Sequence, residues 1–252
     1  MGSPGNSSAG TSGVFITGTS SGIGAALATH FAAAGYRVGG ASRRGTVPEL
    51  PPGTPGEIVG IAVDIADADR VGVAIKDFAV TCDRFAGLIN NAGIHLTAPS
   101  VDLDLDELRH VLEVNLVSAV QLAQLAFPLL KESGGGFIAN MGSFYADLGV
   151  PRNLAYSASK AALASVTRTL GVEWGKHGVS VVNFAPGYIE TAFNADYLAD
   201  DENRAAMARQ IPVRRVGNVD ELARLVVNVL TADCSFLTGA TLTIDGGQGI
   251  RL

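Results

Sequence analysis

A serine, a tyrosine and a lysine in the middle of the chain have the types and spacing needed for proton transfer. Tyr156 and Lys160 lie four residues apart in a predicted helix, so the phenol and the ammonium share one face, one turn apart. A cation beside a phenol favours the phenolate, and we expect it to lower the phenol pKa. Ser143 lies thirteen residues before Tyr156, at the end of a predicted strand. Taken alone, Tyr156 and Lys160 also fit a half-buried tyrosine beside a solvated lysine.

A glycine-rich turn precedes these residues in the sequence, and its pattern predicts a binding site for a nucleotide. The pattern Thr17-Gly18-x-x-x-Gly22-Ile23-Gly24 follows a short apolar run and opens a predicted helix. The first glycine allows a tight turn, the second lets a pyrophosphate approach the backbone, and the helix N-terminus attracts negative charge. The alternative is a strand-to-helix turn with incidental glycines. Turn and trio together indicate an oxidoreductase with a nucleotide cofactor.

Composition excludes several other classes of protein. The chain has 252 residues, of which 47% are hydrophobic, enough for a substantial core. Its net charge is −6 and it has no Lys/Arg run, which argues against nucleic acid as the main partner. Cys82 and Cys234 share no metal-binding spacing and are interpreted as reduced thiols of a cytoplasmic protein, and the four histidines are scattered. We therefore predict no metal site.

The first twelve residues are rich in Gly, Ser, Asn and Pro and lack the basic and apolar regions of a secretory signal. We interpret residues 1–12 as a flexible tail. No run approaches the roughly 20 apolar residues of a membrane-spanning helix. The sequence therefore predicts a soluble, cytoplasmic protein with no membrane partner.

Strands and helices alternate along the rest of the chain, with a Pro/Gly-rich loop at residues 47–56. This alternation predicts an α/β fold: a doubly wound, Rossmann-like parallel sheet of about seven strands, with helices on both faces, in one domain over residues 13–252. The predicted strands are Gly13–Thr17, Arg37–Ala41, Ile58–Val63, Gly87–Ile89, Phe137–Met141, Val179–Phe184 and Thr241–Ile244. The predicted helices are Ile23–Ala34, Ala68–Cys82, Asp106–Lys131, Leu154–Trp174, Glu202–Gln210 and Val219–Leu230.

Several separate marks, in order, resemble the short-chain dehydrogenase/reductase family in its compact form. They are the glycine turn, Asn90-Asn91-Ala92-Gly93 after the fourth strand, Asn115 on the long helix, the trio, and Pro186-Gly187 with Thr191. The resemblance runs from about Gly13 to Gly247. It is close to the branch that includes β-ketoacyl-carrier-protein reductases and sugar, steroid and polyol dehydrogenases.

The resemblance implies a role for each matched residue. Tyr156 would exchange the proton, Ser143 would bind the reacting oxygen, Lys160 would hold the ribose and tune the phenol, and Asn115 would hold a water linking Lys160 to solvent. Asp64 would accept from the adenine amino group, although a turn or N-cap aspartate is the alternative. Asn91 is interpreted as partly structural. The full set of predicted cofactor-binding residues is Gly18, Ser20, Ser21, Gly22, Ile23, Gly24, Ser42, Arg43, Asp64, Ile65, Asn91, Ala92, Gly93, Tyr156, Lys160, Pro186, Gly187, Ile189 and Thr191.

The end of the second strand predicts which coenzyme is used. In this fold an acidic residue there accepts from the two ribose hydroxyls of NAD, and this chain has Ser42-Arg43-Arg44 instead. Ser42 can donate to a 2′-phosphate, and Arg43 can add a charge-assisted bond. The turn residues 19–21 lack the basic residue that many NADP users carry. We predict that NADP(H) is preferred over NAD(H).

The substrate is predicted to be a small-molecule carbonyl or alcohol, and the enzyme an NADPH-dependent ketone or 3-oxoacyl reductase. The alternatives are an NAD-dependent polyol, sugar or steroid dehydrogenase and a non-catalytic nucleotide-sensing protein. An enoyl reductase is disfavoured, because it spaces its tyrosine and lysine more widely. The family also implies a homotetramer. The predicted pocket, which includes a lid over residues 188–210, is lined by His95, Leu96, Phe144, Tyr145, Leu148, Val150, Asn153, Tyr188, Phe193, Tyr197, Leu198 and Met207; His95 receives no catalytic role.

Overall fold

The computed structural model of this protein describes residues 11–192, 194–232 and 235–250. The predicted pocket residue Phe193, residues 1–10 of the predicted tail and Cys234 lie outside these ranges. The described strands are β1 (Ser12–Thr17), β2 (Arg37–Ser42), β3 (Glu57–Ala62), β4 (Arg84–Asn90), β5 (Gly136–Met141), β6 (Val179–Pro186), β7 (Ile189–Glu190), β8 (Gly217–Asn218) and β9 (Thr241–Ile244). The described helices are α1 (Gly22–Ala33), α2 (Ala68–Ala79), α3 (Leu105–Leu112), α4 (Ser118–Glu132), α5 (Leu154–Trp174), α6 (Ala195–Leu198), α7 (Asp201–Gln210) and α8 (Val219–Thr231).

Seven parallel strands form one sheet in the order β3-β2-β1-β4-β5-β6-β9, which confirms the predicted fold class. The strand order reverses between β1 and β4, so the loops that follow these two strands diverge at the carboxyl edge of the sheet. Such a switch point leaves a crevice where open α/β sheets bind nucleotides. The glycine turn follows β1 and the Asn-Asn-Ala-Gly segment begins at the end of β4, so the fold brings both to this crevice.

Apolar side chains cover both faces of the sheet, as expected for buried parallel strands. On one face, Leu27 and Phe31 of α1 pack with Leu222 and Val226 of α8 in a single core cluster. On the other face, α2 and α4 supply most of the helix contribution; the buried members are Val71, Ile75, Phe78, Ala79, Leu122, Ala123, Ala126 and Leu130. The helices therefore hold the sheet rigidly beneath the crevice.

The helix predicted over Asp106–Lys131 is not continuous in the structure. A π-helical turn, Glu113–Val117, separates α3 from α4, and the Ser118 hydroxyl donates to the Glu113 carbonyl at 2.9 Å. The predicted site residue Asn115 lies inside this turn. π-turns insert one residue into a helix and often occur at functional sites.

Other boundaries differ by a few residues. β1 begins at Ser12, inside the predicted tail, and the backbone amide of Thr11 donates to Asp83 at 2.6 Å. The segment predicted as a lid contains β7, α6 and α7, of which only a helix near α7 was predicted. β7 pairs with β8, a contact between residues far apart in sequence that local patterns do not reveal.

One described helical run is long and apolar enough to cross a membrane by length and composition alone. It spans Leu105–Glu132 and so includes α3, the π-turn and α4. Leu122, Ala126 and Leu130 on this run are buried against the sheet, as in the core helix of a globular domain.

Candidate active site

The glycine turn is tightly folded against its neighbours. Gly18 has φ +75°, and a Cβ atom there would lie 2.9 Å from the Cα atom of Ala92. A Cβ on Gly24 would lie 2.2 Å from the carbonyl oxygen of Gly18. Both positions therefore require glycine, because any side chain would push the turn away from β4 or α1. The resulting turn presents the N-terminus of α1 to the crevice, which is a site that attracts a pyrophosphate.

Asn91 holds this turn in place. Its amide nitrogen donates to the carbonyl oxygens of Thr17 at 2.9 Å and Gly18 at 3.3 Å. The Thr17 hydroxyl in turn accepts from the backbone amides of Asn91 and Ala92, both at 3.0 Å. The side chain of Asn91 thus joins the ends of β1 and β4, which agrees with the partly structural interpretation of this residue.

A cleft of about 370 Å³ runs from the glycine turn past the ends of β2, β3 and β4. Most residues predicted to bind the adenosine half of a cofactor line it. They are Gly18, Ser20, Ser21, Ser42, Arg43, Asp64, Ile65, Asn91, Ala92 and Gly93. Asp64 is exposed, and one of its oxygens accepts from the Ala66 amide at 3.0 Å. The aspartate therefore makes a turn, and its second oxygen can accept from a ligand.

A second recess of about 410 Å³ adjoins the cleft and is lined by Ser20, Ser42, Arg43 and Arg44. Both arginines are exposed. The ion pairs of the described residues include neither of them. Two guanidinium groups and two hydroxyls around one recess fit a phosphate group.

The catalytic trio converges at the carboxyl end of β5. The Ser143 hydroxyl oxygen accepts from the Tyr145 amide at 3.2 Å and its side chain hydrogen-bonds the Tyr156 phenol. Lys160 is buried, its Nζ atom lies 5.6 Å from the centroid of the Tyr156 ring, and it donates to the Met141 carbonyl oxygen at 2.7 Å. The structure thus brings together the three side chains that the sequence analysis grouped.

Burial dominates the protonation of this group. It raises the pKa of the Tyr156 phenol, and the hydrogen bond with Ser143 offsets part of that effect. Burial also lowers the pKa of the Lys160 ammonium to about 8. The expectation that Lys160 lowers the phenol pKa is therefore wrong for this structure. The Lys160 ammonium is itself desolvated, and it donates a hydrogen bond to the Met141 carbonyl oxygen.

Asn115 fastens the loop after β4 to the catalytic helix. Its amide oxygen accepts from the Ile94 amide at 2.8 Å, and its nitrogen donates to the Ile94 carbonyl at 2.9 Å and to the Ser159 hydroxyl at 3.1 Å. Both N–H donors are thus used within the protein. A water held by Asn115, as the family resemblance implies, would have to bond to one of its oxygens.

The segment after β6 crosses from the sheet to the glycine turn. A Cβ on Gly187 would lie 2.7 Å from the Cα of Asp245, and a Cβ on Gly22 would lie 3.5 Å from Cγ2 of Thr191. Thr191 is fixed by Asn194, whose Oδ1 accepts from the Thr191 amide at 2.8 Å. Of the predicted nicotinamide-side residues, Thr191 thus lies beside the glycine turn, whereas Pro186, which ends β6, and Ile189, in β7, are buried.

An ion pair that the sequence did not reveal holds this segment to α7. Arg204 donates through both terminal nitrogens to Glu190, at 2.7 and 3.0 Å, and through Nε to the Leu198 carbonyl at 2.9 Å. This contact lowers the pKa of Glu190 and raises that of Arg204. Glu190 directly precedes Thr191, so the ion pair couples the predicted lid to the cofactor side of the site.

Aromatic side chains surround the Tyr156 ring. The His95 ring lies 4.5 Å from it, centroid to centroid, and the Tyr145 ring lies at 6.1 Å and nearly perpendicular. His95 also hydrogen-bonds the amide oxygen of the buried Asn153. The sequence predicts a loop position with no catalytic role for His95. In the structure the His95 ring packs directly on the Tyr156 phenol ring.

Two predicted pocket residues pack elsewhere. Leu198 is fully buried with Ile211 and Val216, and Met207 packs against the same small cluster. They form the hydrophobic core of the lid and do not line the Tyr156 site. Tyr197, another residue of the predicted pocket, has a solvent exposure of 50%. The periodicity of these residues could not distinguish a lid core from a pocket wall, because both require apolar side chains on one face.

Among the described residues, no group of three or more His, Cys, Asp or Glu side chains could hold a metal ion. A protonated phenol and a serine hydroxyl can bind and protonate one oxygen atom, next to a cleft shaped for a dinucleotide.

Comparison with known proteins finds dehydrogenases and reductases that match nearly the whole chain. Residues 18–248 match the family model described as Enoyl-(Acyl carrier protein) reductase. A protein of Sinorhizobium fredii named "Uncharacterized short-chain type dehydrogenase/reductase y4vI" is 35% identical over 237 residues, which cover 93% of this chain and 43% of that longer protein. D-threitol dehydrogenase of Mycolicibacterium smegmatis is 33% identical over 241 residues, covering 94% of this chain and 92% of the relative.

Solved structures share the overall fold of this chain. The gluconate 5-dehydrogenase of Burkholderia cenocepacia J2315, crystallised with NADP and tartrate, superposes with a TM-score of 0.85. It is 28% identical, and the match covers 95% of this chain and 96% of that one. The overall fold described above is thus shared with a protein that was crystallised with NADP.

Proposed function

This chain belongs to the short-chain dehydrogenase/reductase family and is an NAD(P)-dependent oxidoreductase of alcohols and carbonyls, and on that premise we propose that it is an NADPH-dependent ketone or 3-oxoacyl reductase. The observation that carries the proposal is the recess formed by Ser42, Arg43 and Arg44 beside the glycine turn. A 2′-phosphate distinguishes NADP from NAD, and this recess offers it two cations and two hydroxyls, with Ser42 at the position where NAD users have an acid.

The residues present fit such a cofactor, because the glycine turn presents the N-terminus of α1 to a cleft that is also lined by Ser42 and Arg43. When bound, the nicotinamide supplies the hydride that reduces the carbonyl carbon. Ser143 donates a hydrogen bond to the carbonyl oxygen and stabilises the charge that develops there. Tyr156 gives its proton to that oxygen, and the raised phenol pKa keeps the proton in place until then.

Lys160 and Asn115 support this step. Lys160 lies beside the phenol and in this proposal holds the ribose hydroxyls, and Asn115 fixes the loop that carries Gly93 and Ile94. The proposal includes a water molecule for reprotonation, which hydrogen-bonds to an oxygen atom of Asn115 because both side-chain N–H donors are used within the protein. The assigned residues thus divide into proton transfer, oxygen binding and positioning.

One observation favours a second function, an NAD-dependent polyol, sugar or steroid dehydrogenase. Residues 19–21 of the glycine turn carry no basic side chain to bind a 2′-phosphate. The same trio would then act in reverse, with Tyr156 accepting the alcohol proton.

The proposal is tested with a panel of ketones and 3-oxoacyl thioesters, following NADPH absorbance. Wild type should reduce at least one, Tyr156→Phe should lose roughly 100-fold or more in kcat while still binding NADPH, and the remote Tyr36→Phe should behave as wild type. Full activity in Tyr156→Phe would refute the mechanism. Faster turnover with NADH than with NADPH would favour the second function.

The assembly we propose is a homotetramer of a soluble, cytoplasmic protein. The support is an apolar surface on the long helices: Val117 is 45%, Leu154 47% and Val172 84% exposed. Such side chains are commonly buried between subunits. Light scattering at micromolar concentration should give about four chain masses, and a monomer would refute this part of the proposal.

A further inference from the structure

Two tyrosine hydroxyls meet beside the catalytic phenol. The hydroxyl oxygens of Tyr145 and Tyr188 lie 3.0 Å apart and hydrogen-bond to each other. Tyr145 lies two residues after Ser143, beyond β5, and Tyr188 follows Pro186-Gly187, beyond β6. Because β5 and β6 are neighbours, the pair bridges the two segments that approach the reacting oxygen from the sheet.

The pair lies one ring away from Tyr156 and is held rigidly. The Tyr145 ring is 6.1 Å from the Tyr156 ring and 6.3 Å from the Tyr188 ring, nearly perpendicular to both. Phe144 packs against Tyr145 at 4.8 Å and against Tyr188 at 5.4 Å. Edge-to-face contacts of this kind fix ring orientation, so the hydroxyl positions are preorganised.

The chemistry of this pair is neutral. A hydroxyl has one donor and two acceptor positions, so two hydroxyls that share one bond keep one O–H donor and further acceptor lone pairs for a third partner. Burial and the neighbouring phenols raise the pKa of Tyr145, so it remains protonated. Among the described residues, no carboxylate, ammonium or guanidinium contributes to that shift.

Such a site distinguishes between ligands by charge. An uncharged hydroxyl or carbonyl can exchange its bonds with water for bonds to the pair at little cost. An ionised carboxylate would lose hydration and gain no positive charge from the pair, which is unfavourable in a partly buried site. A plain hydrocarbon would leave the remaining donor unsatisfied, which also costs binding free energy.

We propose, on the basis of the proposed function, that the hydroxyls of Tyr145 and Tyr188 bind a second, uncharged oxygen of the substrate, one that lies about a ring's width from the reacting carbonyl. The substrate class is therefore neutral ketones that carry a further hydroxyl or carbonyl group. Ketones without that oxygen, and keto acids, are poor substrates.

Three ketones on the same six-membered ring test this. They are cyclohexanone, hydroxycyclohexanone (3- and 4-isomers, taking the faster) and 4-oxocyclohexanecarboxylate, each measured as kcat/KM with saturating NADPH. In wild type the hydroxyketone should exceed cyclohexanone by about tenfold or more, and the carboxylate should be the poorest. In Tyr145→Phe and in Tyr188→Phe the hydroxyketone advantage should fall to about one.

Controls separate the possible failures. Thermal unfolding and NADPH binding establish that both Phe variants are folded, and Tyr36→Phe should keep the wild-type ratio. Because the two hydroxyls act as a unit, the double variant should lose no more of the ratio than either single variant. If wild type shows no hydroxyketone advantage, or if both single variants keep it, the inference is wrong.

Failure of the proposed function gives a different pattern. If no ketone on any panel is reduced although NADPH binds, the proposed reductase and this inference fall together. If other ketones are reduced but these three rings are inert, the reductase stands and the assignment of the tyrosine pair falls.

Discussion

The recess at the end of β2 makes coenzyme choice a quantitative prediction. Replacing Ser42 by Asp and Arg43 by Leu should shift the ratio of kcat/KM for NADPH to that for NADH by about 100-fold toward NADH. At about 4 Å, a new carboxylate repels each phosphate charge by roughly 1 kcal/mol in water and more beside the protein, which amounts to about 2 kcal/mol. Losing one solvent-exposed guanidinium contributes at most about 1 kcal/mol, because Arg43 is exposed and screened. Together these give about 3 kcal/mol, or about 100-fold.

The assay is initial-rate kinetics with both coenzymes at fixed ketone concentration. Arg224→Leu, which removes an exposed arginine from α8, is the control for net charge and should leave the ratio unchanged. Arg44→Leu measures the share of the second guanidinium in the recess. If wild-type kcat/KM for NADH equals or exceeds that for NADPH, or if the double variant leaves the ratio in place, our reasoning about Ser42 and Arg43 is wrong.

Three further predictions concern stability and the lid. Because burial lowers the pKa of Lys160 from 10.5 to about 8, the unfolded chain binds more protons than the folded chain between these pH values. The free energy of unfolding of wild type relative to Lys160→Met should therefore rise by about 3 kcal/mol between about pH 7 and about pH 11. Urea unfolding measures this difference, and a difference that does not change with pH would contradict the prediction. Arg204→Ala should raise KM for the ketone more than it lowers kcat, because it releases Glu190. Moderate salt screens the ion pair and should therefore raise KM in wild type but not in the variant. If the variant and wild type have the same KM and kcat, the ion pair has no role in substrate binding. Gly24→Ala should abolish NADPH binding in a fluorescence titration and lower Tm, since its Cβ would lie 2.2 Å from a carbonyl oxygen; wild-type affinity would show that the turn adapts.

Local patterns predicted the elements well where residues adjacent in sequence determine them. The strand before the glycine turn, the helix after it and the helix of Tyr156 appear at or within a residue or two of their expected bounds. Period-two and helical patterns, glycine turns and the Tyr156–Lys160 spacing are all properties of short windows. The cleft followed from them, because a doubly wound sheet places the ends of β1 and β4 together.

The remaining features depend on contacts between distant residues. The bond between Tyr145 and Tyr188 spans 43 positions and that between His95 and Asn153 spans 58, so no local window contains either pair. The π-turn at Asn115 depends on Ser118 bonding back to Glu113, which helical periodicity does not distinguish from an ordinary turn.

Protonation was mispredicted for a related reason. The four-residue step indicated that Tyr156 and Lys160 share a helix face, and Coulomb attraction then favours a phenolate. Solvent exclusion acts on both groups at once and opposes either charge, so the neutral phenol is stabilised and the lysine is driven toward its neutral amine. A protonated phenol is the form that donates in carbonyl reduction, and the alcohol oxidation would first require its proton to leave. The burial of the trio therefore keeps the phenol in the protonated form that the proposed reductase requires.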